Sequence, residues 1–204
     1  MRALQQALHT TFGIDGSLDN IEFSGRTDLW IMRRIFARFG LPATPENFAR
    51  YFDGYAAALP AELGHPSACV LPGVAGLLAA AASGGFAQGL LTGNLRRTAA
   101  LKLGFHGLWE RFPFGAFADD SEHRNELGPH ALRRAREHTG WDFAASAVWV
   151  IGDTPHDIAC GRAVGARTLA VATGQHTLAE LAAHEPTALL PDLADAAAFW
   201  RLVG

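Results

Sequence analysis

The chain has only two cysteines, Cys69 and Cys160, in 204 residues. Two isolated thiols make no disulfide framework and suit a reducing cytoplasm. Long apolar runs are also missing. The most apolar stretch, Val70 to Leu91, is broken by Pro72, by several glycines and by Gln88. It reads as a helix followed by a strand rather than as a membrane span. The start, Met1-Arg2-Ala3-Leu4-Gln5-Gln6-Ala7-Leu8, has no continuous apolar segment of the signal-peptide kind. No basic run is present and the formal net charge is −3, so nucleic acid is not an indicated partner. Nine histidines fall without zinc spacing. Serine and cysteine nucleophile motifs are absent. Gly84-Gly85-Phe86-Ala87-Gln88-Gly89 fails the dinucleotide fingerprint: it lacks the first spacing and precedes a strand.

What is there is enough apolar material for a packed core. Apolar residues make up 49% and charged residues 18%, which excludes wholesale disorder. The length allows one large or two small domains. The first part reads as helical. Leu4, Ala7 and Leu8 recur at helical spacing. Leu29 to Gly40 is amphipathic, with Thr27 or Asp28 as N-cap, and Thr44-Pro45 opens a helix running to about Leu59. No strand is expected before residue 85. From there strands and helices alternate. Strands are expected at Phe86–Leu91, Phe114–Ala118, Val148–Ile151, Arg167–Ala172 and Ala188–Leu190. Helices are expected at Gly73–Ser83, Leu95–Leu103, Glu126–Thr139, Ile158–Val164 and Leu178–Ala183. That alternation marks an α/β layer with a parallel sheet, joined to the helical module near Pro60 to Pro72.

Three segments carry chemistry. In Val148-Trp149-Val150-Ile151-Gly152-Asp153-Thr154-Pro155-His156-Asp157-Ile158 an apolar strand delivers Asp153 to its carboxyl end, where α/β proteins bind ligands, and Asp157 follows four residues on. Paired acids there suit a hard divalent cation. Asp157 is equally the closing residue of a capping box on Thr154, and both readings can hold together. Leu90-Leu91-Thr92-Gly93-Asn94 also ends a strand and opens a helix. Its hydroxyl, backbone amides and side-chain amide suit a phosphate, or form an ordinary capped turn. Lys102 and Arg124 are the candidates for the positive charge that phosphoryl chemistry needs, and a solvated surface charge is the alternative for each.

In this order the motifs resemble the haloacid dehalogenase-like (HAD) hydrolase superfamily, particularly its phosphoglycolate phosphatase-like branch. The carriers are a helical cap, Leu71-Pro72-Gly73-Val74, Leu91-Thr92-Gly93-Asn94, an Arg124-centred segment, and Ile151 to Ile158. The resemblance implies a Rossmann-like parallel sheet with helices on both faces, preceded by a cap over residues 1–68, with the core over 69–204. It implies phosphoryl transfer to an aspartate and then to water, with Mg2+ as cofactor and a small phosphorylated metabolite as substrate. By the same resemblance Thr92, Gly93 and Asn94 bind the phosphoryl group, Arg124 or Lys102 neutralises it, and Asp153 and Asp157 serve the metal, Asp157 directly or through water. The cap would be a mobile lid.

One element of that pattern is missing. The family nucleophile lies in an Asp-x-Asp-Gly-Thr sequence after an apolar strand, ahead of the cap. The nearest match here is Phe12-Gly13-Ile14-Asp15-Gly16-Ser17-Leu18, which puts Gly13 at the nucleophile position and reads as a turn. The sheet's central strand and its catalytic loop are then absent, and the chain is expected to be inactive as it stands. A start placed wrongly, or a truncated gene, would account for this with some 15–25 residues, about one buried strand and a loop. A non-catalytic relic binding phosphate or a partner protein is the alternative, and a phosphomutase or dehalogenase of the same superfamily is a third.

Overall fold

The computed structural model describes residues 1–65 and 68–204. Pro66 and Ser67, inside the expected linker, lie outside the described residues. Three helices come first: α1 (Arg2–Phe12), α2 (Asp28–Arg38) and α3 (Pro45–Leu63). Their ends are set by local chemistry. Gly13 closes α1 in the left-handed conformation. Thr27 caps α2 by accepting from the Trp30 amide, and Thr44 caps α3 by accepting from the Asn47 amide, both at 3.2 Å. α3 runs four residues past its expected end, through Pro60. An interior proline disfavours a helix by ~3 kcal/mol. Tertiary contacts offset that here: Leu59 is buried, Glu62 pairs with Arg2 of α1 at 3.1 Å, and Tyr51 donates to the Leu4 carbonyl at 2.9 Å. Leu4, Ala7 and Leu8 of α1 meet Ile31, Met32, Ile35 and Phe36 of α2 and Tyr51 of α3 in one cluster.

The remainder is α/β. Its elements are α4 (Val74–Ser83), β1 (Gly89–Leu91), α5 (Arg96–Phe105), β2 (Phe114–Ala116), α6 (Leu127–Thr139), β3 (Trp149–Gly152), α7 (Pro155–Ala163), β4 (Arg167–Val171), α8 (Leu178–Ala182), β5 (Ala188–Leu190) and α9 (Ala196–Val203). The strand expected from Phe86 starts only at Gly89, because the Phe86 ring leaves the strand line to meet Trp200 at 5.3 Å. α7 begins at Pro155 rather than Ile158, since the Thr154 cap starts the helix at once. α9 was not expected. Its N-cap is Asp195, and Phe199 is its buried anchor.

β4 shows why helices cover both faces. Leu169 and Val171 pack with Leu77 of α4 and Phe199 of α9. Ala170, pointing the other way, packs with Ile158 of α7 and Leu181 of α8. A strand buried on both sides carries apolar residues at successive positions, as β4 does from Leu169 to Val171. All pairings are parallel, but they form two sheets: β1–β2, and β3–β4–β5. No described strand pairs with the second edge of β1 or of β3.

Candidate functional site

The carboxyl ends of β1 and β3 meet on one short stretch of the helical module, Gly25-Arg26-Thr27-Asp28. After β1, Thr92 stays tied to β2 through its amide and the Ala116 carbonyl at 3.1 Å, and its hydroxyl accepts from the Asn94 amide at 3.2 Å. Gly93 lies so close to the Arg26 carbonyl that a Cβ would overlap it. The Gly93 carbonyl accepts from the Asp28 amide at 2.6 Å. The Asn94 side chain turns toward the helical module, donating to Asp28 at 3.3 Å and accepting from Lys102 at 3.0 Å.

Asp28 is the centre of this seam. Its buried carboxylate accepts from the Leu95 amide at 2.8 Å and from the Thr98 hydroxyl at 3.0 Å, so a side chain of α2 caps the start of α5. Burial pushes its pKa up, while Lys102 and the three donors pull it back. Lys102, the chain's only lysine, has its ammonium pushed down by burial and held up in part by Asp28. It also lies 5.8 Å from the Tyr55 ring centre. Lys102 and Asn94 thus join core to helical module.

The β3 end is built differently. Thr154 and Asp157 form the capping box: the Asp157 Oδ2 accepts from the Thr154 amide at 3.0 Å and from its hydroxyl at 2.7 Å. Oδ1 accepts from Arg124. A side chain on Gly152 would run into this carboxylate. Arg124 also donates to the Gly25 carbonyl at 3.1 Å, and its Nε is buried without a partner. Gly25, at φ +70°, takes a backbone shape favoured by glycine, and a Cβ there would strike His156 and the Thr154 hydroxyl. Arg124, Thr154 and Gly25 therefore clamp the helical module onto the β3 loop.

Asp153 stands apart from its neighbour. It forms no ion pair among the described residues, and Gly174 after β4 lies against its carboxylate. Burial raises its pKa, the Asp157 charge adds to that, and Arg124 and His176 oppose it. The pair fits a divalent cation in part. Asp153 forms no ion pair among the described residues, whereas both oxygens of Asp157 already accept hydrogen bonds. Asp153 could hold an ion directly, with Asp157 behind it or bridged by water; the remaining oxygens would be substrate and water. Among the described residues no group of three metal-ligating side chains gathers.

Sequence reasoning missed the Gly25–Asp28 stretch. Thr27 and Asp28 were legible only as caps, although an acid beside a threonine cap was the available signal. Beside this stretch is a polar cavity of about 160 Å³, lined by Arg26, Thr27, Trp30, Glu122, Arg124 and His156. Arg26 stacks on Trp30 at 4.5 Å and pairs with Glu22 at 2.6 Å. A larger hollow of about 720 Å³ lies under the amino ends of β1 and β2, lined by Gln88, Phe114 and Trp141, away from both acids. Asp15 is in the exposed turn after α1, paired with His9 at 2.8 Å.

A parallel α/β core with acids at a strand end and a helical module seated over it is the arrangement that the motif resemblance implies. The HAD-hydrolase-like family model matches residues 124–196. The chain is 32% identical over 124 residues to the probable phosphatase IndB of Dickeya dadantii, covering 59% of this chain and 51% of that one. It is 30% identical over 111 residues to the pyrophosphatase PpaX of Bacillus velezensis, covering 54% and 50%. The chain thus spans about half the length of the curated relatives it matches. In fold it is similar to the crystal structure of a predicted phosphoglycolate phosphatase from Haemophilus somnus, with a TM-score of 0.72 and 15% identity over 98% of this chain and 89% of that one. The HAD-like resemblance drawn from the motifs therefore holds in sequence and in fold. No described helix is long and apolar enough to cross a membrane.

Proposed function

We propose that this chain carries a magnesium-dependent phosphatase site for a small phosphorylated metabolite, of the phosphoglycolate phosphatase-like kind, and that the site lacks its nucleophilic aspartate. The observation that carries the reading is the convergence of the Thr92–Asn94 and Asp153–Asp157 loops on Gly25–Asp28, with Asp153 forming no ion pair among the described residues. In this reading residues 1–68 are the cap and 69–204 the core. Thr92 and the Gly93 backbone receive the phosphoryl group, and Asn94 holds that loop in shape. Arg124, already on Asp157, supplies positive charge; Lys102 acts from behind Asn94. Bound magnesium would neutralise and orient the substrate's phosphoryl oxygens, and Asp153 would hold it. The cap excludes water from this junction, and its buried seam makes it a seated lid rather than a free flap. Asp15 is exposed and tied to His9, so it is no substitute nucleophile.

Hydrolysis of p-nitrophenyl phosphate tests the reading. The chain as it stands is expected to show no magnesium-dependent turnover. A version with an apolar strand ending in Asp-x-Asp fused ahead of Met1 is expected to show it. Turnover by the chain itself that survives Asp15→Asn would refute the account of the missing nucleophile. Turnover lost on that change would make Asp15 the nucleophile after all. The second reading is a site that binds phosphate without turnover. It is favoured by the full use of Asp157 and Asn94 in holding the fold. Phosphate binding with no turnover in either version would select it.

A further inference from the structure

The hollow of about 720 Å³ lies where the chain enters β1 and β2 and leaves α6. That is the amino end of the strands, whereas the acids stand at a carboxyl end. Its volume is that of a small-molecule site. The walls are aromatic. Phe114 opens β2, and its ring lies across Gly89, where a Cβ would overlap it. Glycine at that position makes room for the ring. Phe86 also lines the hollow; its ring is held by Trp200 and stays 47% exposed. Trp141, just after α6, is 73% exposed, although tryptophans bury most of their surface as a rule. One polar atom in the lining stands out. Gln88 Oε1 is shut off from solvent and accepts no hydrogen bond among the described residues. Buried acceptors are nearly always paired, so this oxygen lacks a donor that a ligand could bring.

We propose that this hollow is a second ligand site, separate from the Asp153 site, and that it takes the adenine ring of a nucleoside or nucleotide. The flat faces of the ring suit the aromatic side chains of Phe86, Phe114 and Trp141. Its edge suits Gln88. A carboxamide carries an acceptor and a donor side by side, and adenine presents the complement: its 6-amino group donates to Oε1, and N7 accepts from the carboxamide nitrogen. Other ligands leave the oxygen unpaired. An aliphatic chain has no donor, and a bare phosphate or a 6-oxo purine brings one more acceptor to that place. Glu110 and Arg111 also line the hollow and are exposed, so the sugar leaves toward them, and a guanidinium there suits a phosphate on the sugar. The inference rests on the hollow alone and needs neither metal nor turnover.

Equilibrium dialysis of the full chain against radiolabelled adenosine tests it, with inosine, the 6-oxo analogue, for comparison. Adenosine is expected to bind saturably and inosine about tenfold more weakly. Gln88→Leu is expected to weaken adenosine by about the same factor and to erase the preference. Trp141→Ala changes an exposed side chain, so it serves even where the Gln88 variant fails to fold; it should weaken both nucleosides by on the order of tenfold. Adenosine monophosphate separates the two sources of the ring. Tighter binding than adenosine, with the gain lost in Arg111→Ala, assigns the site to a nucleotide, and equal binding assigns it to a nucleoside. Added adenosine should slow amide exchange at residues 86–89 and 138–143 and leave Thr92–Asn94 and Gly152–Asp157 unchanged. No saturable binding, equal binding of adenosine and inosine, or protection at the Thr92 and Asp153 loops instead would overturn the proposal. Loss of the proposed phosphatase function would not touch it.

Discussion

Replacing Asp28 should unseat the helical module from the core more than any other single polar change. Asp28→Ala removes the acceptor for the Leu95 amide, the Thr98 hydroxyl and the Asn94 side chain. The three losses are unequal. Thr98 keeps a bond to the Leu95 carbonyl at 3.0 Å, and half-buried Asn94 can turn to water. The buried Leu95 amide has no replacement, which costs about 1–3 kcal/mol. Lys102 also loses the carboxylate that supports its charge. Breaking a contacting buried pair costs about 3–5 kcal/mol. Lys102 touches Asn94 rather than Asp28, so the low end applies or less. The total lies between about 1 and 6 kcal/mol, a large share of the ~5–15 kcal/mol that holds a domain. Asp28→Asn keeps an acceptor for Leu95 and should cost less. Adding Lys102→Met to Asp28→Asn should recover stability, because no buried charge is then left alone. Urea unfolding followed by tryptophan fluorescence measures Asp28→Ala and the four chains of the cycle: the parent, Asp28→Asn, Lys102→Met and the double variant. A loss under about 1 kcal/mol for Asp28→Ala, or strict additivity in the cycle, would refute the coupled seam.

Other substitutions test other joints. Gly73→Ala puts a Cβ onto the Leu193 carbonyl oxygen at a φ of +83°, so the thermal midpoint should fall by several degrees or the chain fail to fold. Asp153→Asn should raise stability at neutral pH. Its folded pKa is raised by burial and by Asp157, so Asp153 favours folding below the ordinary carboxylate value and loses that support as pH rises through the raised one. The same change should abolish any thermal shift produced by added Mg2+, and a shift that persists would clear Asp153 of metal binding. Asp120 behaves oppositely. Burial works to raise its pKa, but two bonds from Arg134, both at 2.6 Å, and one from the Phe117 amide outweigh it and hold it low. Its support is present above the unfolded value and lost as pH falls through the lowered one. Asp120→Asn should therefore flatten the acid limb of a stability-versus-pH curve, and an unchanged limb would show the bridge to be without weight.

The elements that sequence revealed are those governed by neighbours along the chain. Thr27, Thr44 and Thr154 all cap helices, and the capping box at Asp157 was readable because it closes within four residues. β5 fell where alternation and turn residues put it. What escaped depended on partners far away. α3 passes Pro60 because α1 holds it, and no local signal carries that. Phe86 leaves its strand for Trp200, more than a hundred residues later. The division of the strands into two sheets depends on pairing, which no local pattern encodes.

The two acids that opened the functional reading are separated by the structure into different work. Spacing made them a pair, since both stand at one strand end. Hydrogen bonding divides them: Asp157 takes two bonds from Thr154 and one from Arg124, and so fixes the loop and the Gly25 contact, whereas Asp153 takes no ion pair and presses against Gly174. A carboxylate saturated with donors is a poor direct ligand, and one that takes no ion pair at a strand end is the better of the two. The division also explains why Arg124 lies where it does. Its charge balances Asp157, so the loop reaches a nearly neutral state with Asp153 alone in excess. A half-buried carboxylate that forms no ion pair among the described residues is the feature that a bound cation would complete.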